Sequence, residues 1–151
     1  MIKGFFDPAT PRPTPKVRVA LLLPDIGRRS HFVDFQIDTG TDESILHPTD
    51  AVQIGLDLSQ LLTAQPSWGS SHELIGIGGR MISYRVRAAY LFQHESRTQR
   101  VDGLIHIARW TPESSALPSL LGWDVLRYFR LMMHWSTRVI TLHEHDSELF
   151  G

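Results

Sequence analysis

The sequence predicts a mainly β fold, and three observations carry that prediction. Val33, Phe35 and Ile37 alternate with Asp34, Gln36 and Asp38, which is the period of a strand with one buried face. Short apolar runs recur along the chain, separated by turn material such as Pro24-Asp25-Ile26-Gly27. Helical patterns are confined to short stretches after residues 47 and 122 and a further turn suggested by Leu58, Leu61 and Leu62, so strands dominate.

Residues 7–16 carry four prolines, which fix φ and remove backbone donors. Residues 1–16 are therefore expected to form a flexible, extended arm, ahead of one domain over 17–145 and a tail at 146–151. Within the domain, 17–23 and 31–38 read as a hairpin that ends at Asp38. Pro48 suits the first position of a helix and Gly55 its left-handed end. A second hairpin spans 73–89, with Gly76-Ile77-Gly78-Gly79 at its tip. Residues 84–92 continue as the return strand, and 100–108 form the next. Leu120-Leu121 leads into Gly122 and a helix over 123–129. Strands 130–135 and 138–143 close the chain around Ser136-Thr137.

At 151 residues the chain suits one domain, and a chain of this size buries roughly 68–70% of its unfolded surface. Hydrophobic residues make up 42% and charged residues 21%, the balance of an ordinary globular protein. The formal net charge of -1 leaves no excess of Lys and Arg to neutralise phosphates, which argues against a nucleic-acid partner. There is no cysteine, so disulfides, thiolate metal sites and Cys nucleophiles are excluded. No apolar run reaches the ~20 residues of a membrane span, and residues 1–6 do not read as a signal peptide. A soluble, cytoplasmic protein without membrane partner, metal or cofactor is expected.

The chemistry-bearing segment is Ile37-Asp38-Thr39-Gly40-Thr41-Asp42. A carboxylate follows a buried strand and is succeeded by a hydroxyl residue and a glycine. The strand fixes the carboxylate, and the glycine permits a tight turn. By itself Asp-Thr-Gly also describes a plain turn. Two further segments single it out: the glycine-rich tip at 76–79 and Leu120-Leu121-Gly122-Trp123-Asp124.

In this order the three segments resemble the retropepsin family, the retroviral-type aspartic proteases with cellular and bacterial relatives. The resemblance spans residues 17–143. It implies a closed β-barrel of the acid-protease half type, with short helices after Asp-Thr-Gly and after Leu-Leu-Gly. Asp38, Thr39 and Gly40 would be the catalytic loop. Thr41, Asp42, Ile75, Gly76, Ile77, Gly78 and Gly79 would bind substrate, the last five as a mobile flap. Trp123 stands where many members carry an arginine that ion-pairs with the residue matching Asp42, so that pair cannot form here.

Such chemistry needs two carboxylates sharing one proton, one as base toward water and one as acid toward the scissile carbonyl. No second Asp-Thr/Ser-Gly occurs, so the resemblance implies a homodimer acting on extended peptide or protein substrates. Thr39 would hydrogen-bond across the dimer, Thr41 would donate to the Asp38 carboxylate, and strand 139–142 would pair with its twin. Leu46, Ile75, Ile77 and Leu120 are candidates for apolar subsites or for plain core. Two rival readings are a non-catalytic dimeric peptide-binding module and a metal site at His143-Glu144-His145. The first keeps the same fold. The second lacks a His-Glu-x-x-His motif, and a polar tail explains the cluster more simply.

Overall fold

The computed structural model describes residues 1–9, 11–63, 65–76 and 79–145. Eleven strands appear among them: β1 (Ile2–Lys3), β2 (Phe5–Asp7), β3 (Thr14–Leu22), β4 (His31–Ile37), β5 (Ile45–Leu46), β6 (Ser70–Gly76), β7 (Gly79–His94), β8 (Arg97–Ala108), β9 (Leu120–Leu121), β10 (Phe129–His134) and β11 (Val139–Glu144). Three short helices, α1 (Pro48–Gln53), α2 (Leu58–Leu62) and α3 (Trp123–Leu126), and a 3-10 turn at Ser114–Ala116 complete the order. The chain is mainly β, as its alternation predicts.

One sheet runs β2-β3-β4-β9-β5-β8-β7-β6, and β3 also pairs with β7. That extra pairing closes β3, β4, β9, β5, β8 and β7 into a barrel, which leaves no open edge within the ring. The alternating residues of β4 point inward: Val33, Phe35 and Ile37 are buried. They meet Tyr90, Phe92, Ile105, Ile107 and Leu121 in one core. Tyr90 is wholly buried, and its hydroxyl donates to the Leu104 carbonyl at 2.7 Å, so its polar end is satisfied. Burial, and next the charge of Asp124, push the Tyr90 phenol well above its usual range.

Helix α1 starts at Pro48, and Gly55 follows it at φ +96°, as the sequence implies. Asp57 caps α2 by accepting from the Ser59 N–H at 2.9 Å. Trp68 packs edge-on against Tyr84, and both Trp68 and Trp110 lie partly buried against the core.

Three expectations are corrected. Residues 1–16 are not a detached arm: β1 pairs with β11, β2 pairs with β3, and Ile2 is buried. Pro15 is accommodated because it lies where β3 is paired on one side only, before its pairing with β4 begins at Lys16. Strand β11 is the middle of a second sheet, β1-β11-β10. Both its edges are occupied over Thr141 and Leu142, so it is not free to pair with a twin there. The helix expected over 123–129 stops at Leu126, because Phe129 is buried as the first residue of β10, against Phe92. Residues 146–151 lie outside the described residues.

Candidate active site

Strand β4 delivers Asp38 to the end of the barrel. Beside it runs β9, parallel, with Gln36 opposite Leu120 and Ile37 opposite Leu121. The ladder continues past the strands: Gln36 N–H donates to the Ser119 carbonyl at 2.8 Å and Asp38 N–H to that of Leu121 at 3.1 Å. The position of Asp38 is therefore set by the barrel itself. Its side chain is half-buried, and Oδ1 accepts from the Gly40 N–H at 2.9 Å, which orients the carboxylate.

The following loop, residues 39–44, is clamped by the segment around α3. Trp123 N–H donates to the Thr41 carbonyl and Asp124 N–H to the Asp42 carbonyl, both at 3.0 Å. The Asp124 carboxylate accepts from the Ser44 N–H at 3.0 Å and from the Ser44 hydroxyl at 2.7 Å. The same hydroxyl oxygen accepts from Gly122 N–H at 3.0 Å. Ser44 is fully buried, so each of these bonds satisfies a group that water cannot reach. Gly122 is required sterically: a Cβ there would lie 2.8 Å from the Thr41 carbonyl oxygen and 3.0 Å from the Glu43 carbonyl carbon.

The Trp123 indole N–H donates to the Thr39 carbonyl at 2.7 Å. The loop support that an arginine pair would give is thus supplied by an indole reaching the residue after Asp38. Thr41 behaves differently from expectation. Its hydroxyl donates to the Glu43 carbonyl at 3.2 Å, so it bridges the loop rather than serving the Asp38 carboxylate.

Strands β6 and β7 form the expected hairpin, longer than its alternation indicates, with Ser70 opposite Arg85 and Gly76 opposite Gly79. Gly79 adopts φ +109°, a conformation that favours glycine at the tip. Ile75 is 77% exposed beside it, which leaves its apolar side chain available to a ligand. Ile77 and Gly78 lie outside the described residues. Leu46 is fully buried and Leu120 partly so, which makes Leu46 a core residue and not a subsite. The structure thus brings Asp38, Thr39, Gly40, Thr41 and Asp42 together with 121–124, while Gly76 and Gly79 belong to a separate hairpin.

Sequence reading missed Ser44 and the role of Asp124. A serine between charged and apolar residues carries no spacing signal, and its partner is 80 residues away in the chain. The metal reading gains no support. His143 Nε2 lies 3.1 Å from the Thr141 hydroxyl, the His145 ring donates from Nε2 to the Arg127 carbonyl at 3.2 Å, and no group of three ligating side chains suited to a metal occurs among the described residues. No described helix is long and apolar enough to cross a membrane. Three surface grooves, of about 410, 340 and 400 Å³, are lined by other residues, and Asp38 borders none of them.

No protein-family model matches this chain, and no curated protein matches it. Among solved structures, it is similar to a retropepsin-like aspartic protease from Rickettsia conorii, at a TM-score of 0.49 and 14% identity, over 93% of this chain and 88% of that one. It is also similar to the EIAV protease complexed with an inhibitor, at a TM-score of 0.45 and 14% identity, over 80% of this chain and 91% of that one.

Proposed function

We propose that the chain is an aspartic endopeptidase that acts as a homodimer. The observation that carries this reading is Asp38 itself: a carboxylate at the end of a buried barrel strand, oriented by Gly40, in a loop clamped from behind by 121–124. That is the preorganisation a water-activating group requires. One Asp-Thr-Gly per chain means that the second carboxylate comes from Asp38 of a twin chain.

In the proposed reaction the two carboxylates face each other and share one proton. The ionised one takes a proton from a water held between them, and the water oxygen attacks the scissile carbonyl carbon. The protonated one donates to the carbonyl oxygen, giving a tetrahedral diol. As the diol collapses and the C–N bond breaks, the carboxyl that took the water proton passes it to the departing amine, and the other carboxylate recovers its proton from a diol hydroxyl. The substrate binds extended, in strand-like pairing with backbone groups near Gly40, Asp42 and Gly76, beneath a flap formed by residues 75–79. Thr39 supports the paired loops across the dimer. The chemistry calls for no metal or organic cofactor.

The test is a peptide-library digest from pH 3 to 8, on wild type and Asp38→Asn, with and without pepstatin. Cleavage on the acid side of neutral, inhibited by pepstatin and abolished in Asp38→Asn, is expected. Binding of peptides without any cleavage would leave a peptide-binding module instead. Sedimentation equilibrium checks the dimer separately.

A further inference from the structure

Glu43, His106 and Ser83 form a chain from the Asp38 loop to the glycine-tipped hairpin. His106 is 3% exposed, between the buried Ile105 and Ile107 of β8. Its Nε2 lies 2.6 Å from Glu43 Oε2, and its Nδ1 lies 2.8 Å from the Ser83 hydroxyl. An ionised carboxylate only accepts, so Nε2 donates to Glu43, and Nδ1 is left to bond the Ser83 hydroxyl. The His72 carbonyl lies 3.5 Å from the same hydroxyl, a longer contact than the 2.8 Å bond to the ring. Ser83 is fully buried and stands opposite His72 in the β6–β7 hairpin.

The same loop is tied to β8 a second time, by His106 N–H donating to the Ser44 carbonyl at 3.1 Å. The other titratable or charged groups facing the ring are His72, whose ring meets it edge-on at 6.4 Å, and Arg85, its cross-strand partner. The Glu43 side chain is 47% exposed and has water available. It nonetheless reaches a ring buried in the apolar end of β8.

We propose that His106 is a positioning residue. It holds loop residues 42–44 at a fixed place against the base of the hairpin, so that the Asp38 loop and the flap arms grip a peptide as one body. This rests on the endopeptidase reading, and it touches no reacting atom.

The test is amide hydrogen exchange on the full chain for wild type, Glu43→Ala, Ser83→Ala, the double variant and His106→Gln. Glu43→Ala is expected to speed exchange about tenfold, the loss of one charge-assisted hydrogen bond, both in residues 39–44 and across the hairpin at 70–76 and 79–85. Amides of β3 and β4 should stay unchanged, which separates local coupling from global destabilisation. The double variant should add little beyond the larger single effect. His106→Gln, which retains a donor, should fall between wild type and Glu43→Ala. In the peptide digest, Glu43→Ala should raise KM more than it lowers kcat. Hairpin exchange untouched by Glu43→Ala, or fully additive effects, would overturn the proposal. A wild type that cuts no peptide would refute the endopeptidase reading, while the exchange pattern would still decide the coupling.

Discussion

The Trp123 indole nitrogen stands 2.7 Å from the Thr39 carbonyl oxygen, joining a four-residue helix to the residue that follows Asp38. This bond holds the loop from its exposed side, whereas the Ser44–Asp124 pair holds it from the buried side. The two act on opposite ends of the same segment, so their removal should have different signatures.

Trp123→Phe keeps the ring and removes the donor. Trp123 is 43% exposed, so the Thr39 carbonyl regains water, and the loss in stability should be only about 0.5–1 kcal/mol. For a domain of this size that is a fall in Tm of roughly 1–4 °C. Activity should suffer more than stability, about threefold to tenfold in kcat/KM, because the loop next to Asp38 loosens. Thermal unfolding and a peptide assay check this together. Equal activity in the two proteins would show that the bond does not support the site.

Gly122→Ala should be far more severe. The added carbon meets the Thr41 carbonyl oxygen and the Glu43 backbone, neither of which is a flexible side-chain end. Overpacking of this kind typically costs about 1–3 kcal/mol. Because the displaced atoms belong to the Asp38 loop, kcat should fall by at least tenfold even where the protein folds. Urea unfolding beside the peptide assay reads both effects, and a variant of normal stability and activity would mean that the loop yields freely.

Asp124→Ala and Asp124→Asn should part company. Alanine leaves the N–H and hydroxyl of fully buried Ser44 without an acceptor, a penalty of about 2–3 kcal/mol. Asparagine retains one acceptor oxygen and should lose about half of that. Equal urea midpoints for the two variants would contradict this account of the network.

Much of this architecture was legible in the sequence, because the signals were local. The alternation of Val33, Phe35 and Ile37 gave β4, Pro48 and Gly55 bracketed α1, and Gly79 marked a hairpin tip. What escaped reading depends on partners distant in sequence. Pro-rich residues 14–16 join a strand only because β2 and β4 pair with them there. Strand β11 reads as an edge until β1 arrives from the other end of the chain. The donor role of Trp123 and the acceptor role of Asp124 need loop carbonyls and amides about 80 residues away. His106 alone left a trace, as the one polar residue amid Leu104, Ile105 and Ile107.

His47 is buried before α1, where its ring donates from Nδ1 to the Pro118 carbonyl at 2.6 Å and its N–H donates to the Ser119 hydroxyl oxygen at 3.0 Å. The Ser119 hydroxyl in turn donates to Asp50 at 2.6 Å. Burial pulls the His47 pKa below its ordinary 6.5, against the opposing pull of the Pro118 carbonyl and Asp50. As pH falls past about 6.5, the unfolded chain takes up a proton that the folded chain refuses. Stability therefore drops from that point down to the lowered folded value and is unaffected by this group well above it. The loss reaches the site, because the Ser119 carbonyl pairs with Gln36 two residues before Asp38. A pH series of urea midpoints from 8 to 5 should decline less steeply in His47→Gln than in wild type. Parallel curves would show that His47 is protonated alike in both states.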